Sequence, residues 1–344
     1  VLDSDGYYGF EYFQIEVVDC TSVPDDTLLV GLDQGVYKSE DGGVSWEASL
    51  SASPLCLAVK IDPFTHTRKT TEAVAACYTG GLFKTYNGGL SWHELNYPYD
   101  AYAVAYDKVV RNKFYVLGED GSGQVQVSRT IDGGVTWSHY SVGRDTLKTT
   151  SHGALVSTFS GEYIFYTSTS GGAATIHRID EDLTNNTQVM SWSGTTQMCM
   201  EVAQDDWLYL APEYDGTYRG LAASDDYGDT WQSLGTTDWS AHVHTQDVSV
   251  DRFNPHVLVA VQYESAGSFS VWTSDDRGDT WREINAASDI NFVLQRPFDD
   301  PETIYIGNFV TATDTLVASV WKGHNAFARD TGLPSSKVYD IAVL

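Results

Sequence analysis

The sequence predicts an all-β fold, a single β-propeller of seven four-stranded blades, with eight as the alternative count. Three observations predict it. An eight-residue pattern, Ser/Thr-x-Asp-x-Gly-x-Ser/Thr-Trp, recurs five times; successive copies start 46, 45, 94 and 50 residues apart; and each interval holds short strand-like runs, four to a unit. A unit of about 45 residues with four strands is the size of one propeller blade. Because 94 is twice 47, one degenerate unit lies inside the long gap.

The copies run from Ser39 to Trp46, Thr85 to Trp92, Thr130 to Trp137, Ser224 to Trp231 and Ser274 to Trp281. The second has Asn87 where the others have Asp41, Asp132, Asp226 and Asp276. A short carboxylate at that place accepts backbone N–H groups across a tight turn. The glycine two residues on (Gly43, Gly89, Gly134, Gly228, Gly278) supplies the positive φ such a turn demands. The closing tryptophan (Trp46, Trp92, Trp137, Trp231, Trp281) is expected to bury its ring between neighbouring sheets while its N–H finds a carbonyl. Each copy thus staples the hairpin between the third and fourth strands of a blade. The degenerate unit is expected to turn between Ile179 and Trp192, and a decayed last copy to lie at Trp321 to Arg329. The pattern resembles the Asp box, or bacterial neuraminidase repeat, of sialidases, sortilin ectodomains, xyloglucanases and the photosystem II assembly propeller. That resemblance implies a propeller with the boxes as structural turns.

Within a unit, period-two alternation marks the strands. The second blade reads as Leu55 to Asp62, Ala73 to Thr79, Gly81 to Thr85 and an outer strand from Trp92. Comparable inner strands begin near Phe13, Leu55, Tyr102, Gly153, Met198, Val243 and Phe292. They divide the chain into blades of roughly 13–54, 55–100, 101–145, 146–196, 197–240, 241–288 and 289–335. Residues 336–344 (SKVYDIAVL) form one further inner strand, which either closes the ring on the first blade, displacing Phe13 to Asp19, or opens another blade or domain.

Composition narrows function. The net charge is −27, with 33 Asp against 14 Glu and only 9 Lys. Such a chain repels a nucleic-acid backbone. Asp-rich, Lys-poor surfaces occur in proteins of salt-loving organisms and their viruses, and also in ordinary acidic secreted proteins. No apolar run approaches a membrane span or a signal peptide, and a start at Val1 in place of Met is what a processed or trimmed chain is expected to show. Cys20, Cys56, Cys77 and Cys199 lack the paired short spacings of zinc or redox motifs. Cys56 and Cys77 face each other on one predicted hairpin. Two buried free thiols are favoured there over a disulfide, because directly opposed strand pairs suit disulfide geometry poorly. The sequon Asn185-Asn186-Thr187 falls in a polar turn and gives weak support to secretion.

Candidate ligand residues lie in the loops that lead into inner strands or join second to third strands. They are Tyr97, Tyr99, Asp100 and Tyr102 (with Pro98) before blade three, Trp239 (with Asp238) before blade six, and Tyr214, Asp215 and Tyr218 within blade five. Aromatic faces beside carboxylates suit sugar rings and protein surfaces alike. His242 and His244 point to one side of a predicted strand, with Gln246 next along. A metal would need a third ligand such as Asp247 or His152, and the reading is channel-lining residues with no metal and no cofactor. Arg277-Gly278-Asp279 is accounted for by its place inside the fifth copy. Glu119-Asp120-Gly121-Ser122-Gly123 lacks the pattern of a calcium loop and reads as a solvated hairpin.

A sialidase would carry an arginine triad opening with an Arg-Ile-Pro motif and a Tyr/Glu nucleophile pair. Here the first arginine is Arg68, and the nearest echo is Gln295-Arg296-Pro297. Xyloglucanases set two aspartates across a cleft between two propellers, of which one propeller is half. No catalytic residues are assigned. The sequence therefore favours a binding or structural module, outside the cell, on a cell surface or on a virion, that recognises a glycan, a glycoprotein or other subunits of an assembly through its aromatic loops. A glycoside hydrolase, xyloglucanase-like before sialidase-like, is the alternative.

Overall fold

The computed structural model describes residues 27–343 apart from 52–54, 66–70, 144–153, 171–172, 193–198, 212–219, 236–238, 240–243, 266–267, 288–289, 296–303, 310–318, 324–326, 332 and 334–337. Short β-rich runs separated by Gly, Asp and Asn turns give antiparallel strands throughout. The first three are β1 (Leu28–Leu32), β2 (Gly35–Ser39) and β3 (Glu47–Leu50). Next come β4 (Leu55–Ile61), β5 (Ala73–Tyr78), β6 (Gly81–Thr85) and β7 (His93–Leu95). The third group is β8 (Asp100–Tyr106), β9 (Phe114–Glu119), β10 (Val125–Thr130) and β11 (Ser138–Gly143). The fourth is β12 (Leu155–Ser157), β13 (Tyr163–Ser170), β14 (Ala173–Asp180) and β15 (Asn186–Trp192). The fifth is β16 (Cys199–Val202), β17 (Leu208–Ala211), β18 (Leu221–Ser224) and β19 (Gln232–Leu234). The sixth is β20 (His244–Val250), β21 (Leu258–Ser265), β22 (Ser268–Ser274) and β23 (Arg282–Ala287). The last is β24 (Ile290–Gln295), β25 (Ile304–Phe309), β26 (Ser319–Gly323) and β27 (Phe327–Thr331), followed by β28 (Val338–Val343).

The pairing corrects the expected layout of seven or eight blades, each opening with its own inner strand in chain order. Six four-stranded blades, β4–β7 through β24–β27, are built from consecutive strands. The remaining sheet is a composite in the order β28-β1-β2-β3. Val343 pairs with Leu28 and Ile341 with Val30, so the far end of the chain supplies the inner strand of the first sheet. The final strand therefore begins no eighth blade. The inner strand expected near Phe13 lies outside the described residues. Inner strands meet their neighbours in the circuit β28, β4, β8, β12, β16, β20, β24 and back to β28, which closes the ring. An inner strand is covered on both faces by adjacent sheets, hence the almost wholly buried Asp100–Tyr106; an outer strand such as Glu47–Leu50 faces water over most of its length.

The five repeats fold into one turn. In each, the amide of the fifth-position glycine donates to the opening hydroxyl, at 2.8 Å in Gly43 to Ser39 and 2.9 Å in Gly134 to Thr130. The amide of the seventh residue donates to the Asp or Asn oxygen, as Ser45 does to Asp41 at 2.8 Å. Where the others have a hydroxyl donating to the carboxylate, Asn87 reverses the bond and its Nδ2 donates to Ser91 at 2.9 Å. The glycines take φ of 85–102° as the turn requires, and the residue before each is also left-handed, including Tyr227 and Arg277 at 57° and 65°. The turns also reach sideways. Ser49 of the first sheet donates to the Gly89 carbonyl and accepts from Trp92 Nε1 at 2.8 Å, and a Cβ on Gly134 would meet Leu95 of the preceding blade at 2.7 Å. Trp231 and Trp281 donate to the carbonyls of Gly228 and Gly278, whereas the buried Nε1 of Trp46 and Trp137 finds no acceptor among the described residues. The degenerate fourth unit turns on a different set, with Leu183 at φ 64° and the Thr184 hydroxyl donating to Asp182 at 2.6 Å.

Cys56 and Cys77 are joined by a disulfide, which corrects the preference for free thiols. They are register partners beside a bulge between Cys56 and Ala58, where their Cα atoms come within 3.9 Å. Directly opposed strand residues are already near enough for the bond, so the expectation gave too much weight to the flat geometry of such a pair.

Candidate functional site

Antiparallel pairing sorts the loops onto two faces of the ring. The start of each inner strand lies beside the end of the second strand, as Leu55 pairs with Tyr78 and Asp100 with Glu119. The loops leading into inner strands and the turns joining second to third strands therefore share one face. The repeat turns share the other with the loops that leave the inner strands.

On the first face five inner strands, β4, β8, β20, β24 and β28, slip register near their start, skipping Leu57, Tyr102, Gln246, Phe292 and Tyr339. A bulge re-aims the side chain of the extra residue. The Tyr102 ring lies 5.2 Å from that of Tyr78, and its hydroxyl donates to Glu119 Oε2 at 3.3 Å. Burial, reinforced by Glu119 and Tyr78, pushes the Tyr102 phenol well above its ordinary range, so it stays a neutral donor. Asp100, opposite Glu119, and Leu55 border this group and are partly exposed, as are Tyr78 and Glu119. The result is an aromatic wall with a hydroxyl and two carboxylates at its edge. It can stack on an apolar ring face and accept hydrogen bonds from hydroxyl or amide groups. Tyr78 and Glu119 were not among the sequence candidates as ligand residues. Their signal was positional: each ends a second strand on the loop-bearing face.

The other aromatic candidates are placed differently. Tyr97 is buried, with its hydroxyl 3.1 Å from Ser128 Oγ and its ring 4.9 Å from Trp137. A Cβ on Gly118 would stand 2.5 Å from that hydroxyl, so the glycine makes room for the tyrosine. Trp239 is buried the same way three sheets further round, 4.7 Å from Trp281 and against Gly220 and Gly235. Both are wedges between blades. Tyr99 is partly exposed and meets Tyr97 and His139 edge-on at 5.6 and 5.0 Å. Burial lowers the His139 pKa. Tyr214, Asp215, Tyr218 and His242, with His152 and Asp238, lie outside the described residues. His244 is placed in β20, pairing with Tyr263. Asp247 is buried, accepting the Cys199 thiol and the Val248 amide at 2.8 Å.

The hairpin at Glu119 to Gly123 is closed by its own donors. Asp120 Oδ1 accepts from the Ser122 hydroxyl at 2.7 Å and from the Ser122 and Gln124 amides. These bonds, the Ser122 hydroxyl first, lower its pKa. Arg277 of the Arg-Gly-Asp tripeptide is tied to Asp205 and lies over the Trp207 ring at 4.8 Å.

No protein-family model matches the sequence, and no curated protein matches it. Solved structures do resemble it. The GH74 xyloglucanase from Xanthomonas campestris aligns with a TM-score of 0.62 at 13% identity, over 81% of this chain and 45% of that one. The Niastella koreensis GH74 enzyme aligns with a TM-score of 0.62 at 15% identity, over 79% and 45%. YCF48 bound to D1 peptide aligns with a TM-score of 0.57 at 15% identity, over 90% of each chain. The chain is a β-propeller. At these identities the likeness concerns the fold alone, and this propeller spans 45% of the length of either GH74 protein. Among the described residues no helix is long and apolar enough to cross a membrane.

Proposed function

We propose that this propeller is a non-catalytic recognition module of the Asp-box kind, working outside the cell, on a cell surface or on a particle such as a virion, and holding a glycan or glycoprotein on its lead-in face. The observation that carries the reading is the Tyr78, Tyr102 and Glu119 group: two rings 5.2 Å apart with a carboxylate at the inner hydroxyl. Sugar rings are held by such a pairing of apolar face and fixed acceptor. The shared fold with YCF48, solved with a bound peptide, supports a binding role for a propeller of this size. The buried Cys56–Cys77 disulfide supports an oxidising compartment, and Asn185 of the sequon is exposed in its turn.

A glycan and glycopeptide array probed with the wild type, Tyr78→Ala and Glu119→Gln tests it. The reading expects hits that either substitution weakens at least tenfold, with thermal stability kept. The absence of hits, or hits indifferent to both variants, would overturn it. The likeness to GH74 enzymes favours one second reading, a glycoside hydrolase in which Asp100 and Glu119 act on substrate. Release of reducing sugar from a β-glucan or sialoside panel, abolished by Glu119→Gln, would establish that instead.

A further inference from the structure

The face opposite the proposed glycan site carries a second surface. All nine large hydrophobic side chains that are exposed among the described residues lie on it. Four belong to loops leaving inner strands, where a buried aspartate turns the chain. Asp62 accepts the Phe64 amide, Asp107 those of Val109 and Val110, and Asp251 that of Phe253, which directs the amides inward and leaves the side chains out. The other five belong to the repeat turns of the first three sheets: Val44, Leu90 and Val135 at the sixth position, Tyr86 and Ile131 at the second.

The turn does not require them. At the same two positions the fifth and sixth blades have Asp229 and Asp279, and Asp225 and Asp275, all exposed. Yet the two defining bonds keep their lengths. The glycine amide reaches the opening hydroxyl at 2.8 Å in Gly43, Gly228 and Gly278, and the seventh amide reaches the aspartate at 2.8 Å in Ser45, Thr230 and Thr280. Exposure of Val44, Leu90 and Val135 at 63%, 69% and 76% is thus a cost to solubility that the fold has no need to bear. The repeat turns on this face are apolar across the first three sheets, Glu40 apart, and acidic across the fifth and sixth, and Arg178 and Arg277 beside them are already paired with Asp229 and Asp205.

We infer that the repeat-turn face docks a protein partner presenting aliphatic side chains bordered by lysine or arginine. The aliphatic part meets Leu90, Ile131 and Val135, and the cations meet the carboxylates of the fifth and sixth blades. A second copy of this chain, at net charge −27, would set acidic arc against acidic arc. An anionic bilayer is repelled in the same way.

The probe is a synthetic helical peptide with one leucine face and one lysine face, followed by fluorescence anisotropy. Comparisons are a lysine homopeptide of equal length, vesicles of zwitterionic or anionic phospholipid, and the sedimentation of the protein alone. The leucine–lysine peptide is expected to bind and to lose at least tenfold in affinity with Leu90→Asp or Val135→Asp. Each of these copies the residue that the later repeats carry and so keeps the turn. Asp225→Asn with Asp279→Asn is expected to weaken binding less and to flatten its salt dependence, and Tyr78→Ala on the other face to leave it unchanged. Equal binding of the homopeptide, indifference to Leu90→Asp and Val135→Asp, vesicle binding, or self-association removed by those variants would each overturn the inference.

Discussion

Trp239 rests against Trp281 with ring centroids 4.7 Å apart, and Tyr97 stands in the same relation to Trp137 at 4.9 Å. In both, an aromatic residue from the loop leading into a blade packs on the tryptophan that closes that blade's own repeat. Two segments separated by the whole width of a sheet are thereby locked together, and the wedge seals the seam with the preceding blade.

Removing the wedge should be costly. Trp239→Ala is expected to destabilise the fold by about 3–5 kcal/mol, the range for deleting a buried aromatic ring. Gly235→Ala should also destabilise it, because its φ is 71° and a Cβ would lie 2.6 Å from the Trp239 ring. Tyr99→Ala, at a partly exposed ring, should cost far less. Chemical denaturation of the three variants checks the order.

The repeat carboxylates predict a pattern of acid sensitivity. Hydrogen bonds from the Thr136 hydroxyl and amide hold the Asp132 pKa at about 2, against an ordinary 3.8. A pKa depressed on folding contributes stability above 3.8 that is lost as pH falls from there through about 2. Asn87, in the equivalent turn, makes the same amide contact without titrating. Asp132→Asn is therefore expected to fold, to be less stable than wild type at neutral pH, and to close that gap as pH approaches about 2. Urea midpoints of both proteins at pH 7, 4 and 2.5 measure it.

The disulfide predicts a redox effect. Replacing Cys56 and Cys77 together by alanine should cost about 2–4 kcal/mol, and a non-reducing peptide map of the wild type should recover the two as one linked fragment. Recovery of both as free thiols would contradict the assignment.

Much of the architecture is written in local chemistry. The five repeats name their own turns, since Gly43 or Gly134 can be replaced only by another residue tolerating a left-handed backbone, and the second blade's strands follow from alternation alone. What depended on distant segments was harder to read. Val338–Val343 is recognisable as an inner strand, but nothing local selects Leu28–Leu32 as its partner over a new blade. The aromatic residues before blades three and six stand out by type. Whether they face a ligand or a seam was decided by Gly118 and Gly235, far away or unremarkable in sequence, which leave space for the rings. Tyr102 was visible as a candidate. Its companions Tyr78 and Glu119 were hidden because strand-end residues look alike until register shows which ends meet, and because the bulge that skips Tyr102 leaves no mark in composition.

The central claim is recognition without turnover at Tyr78, Tyr102 and Glu119. Saturation-transfer NMR on the strongest array ligand, recorded over hours with the wild type and Tyr78→Ala, tests both halves at once. The account predicts saturation passing from tyrosine rings to the ligand, lost in Tyr78→Ala, with the ligand spectrum otherwise unchanged. Undiminished transfer in the variant, or the growth of product resonances with the wild type, would contradict it.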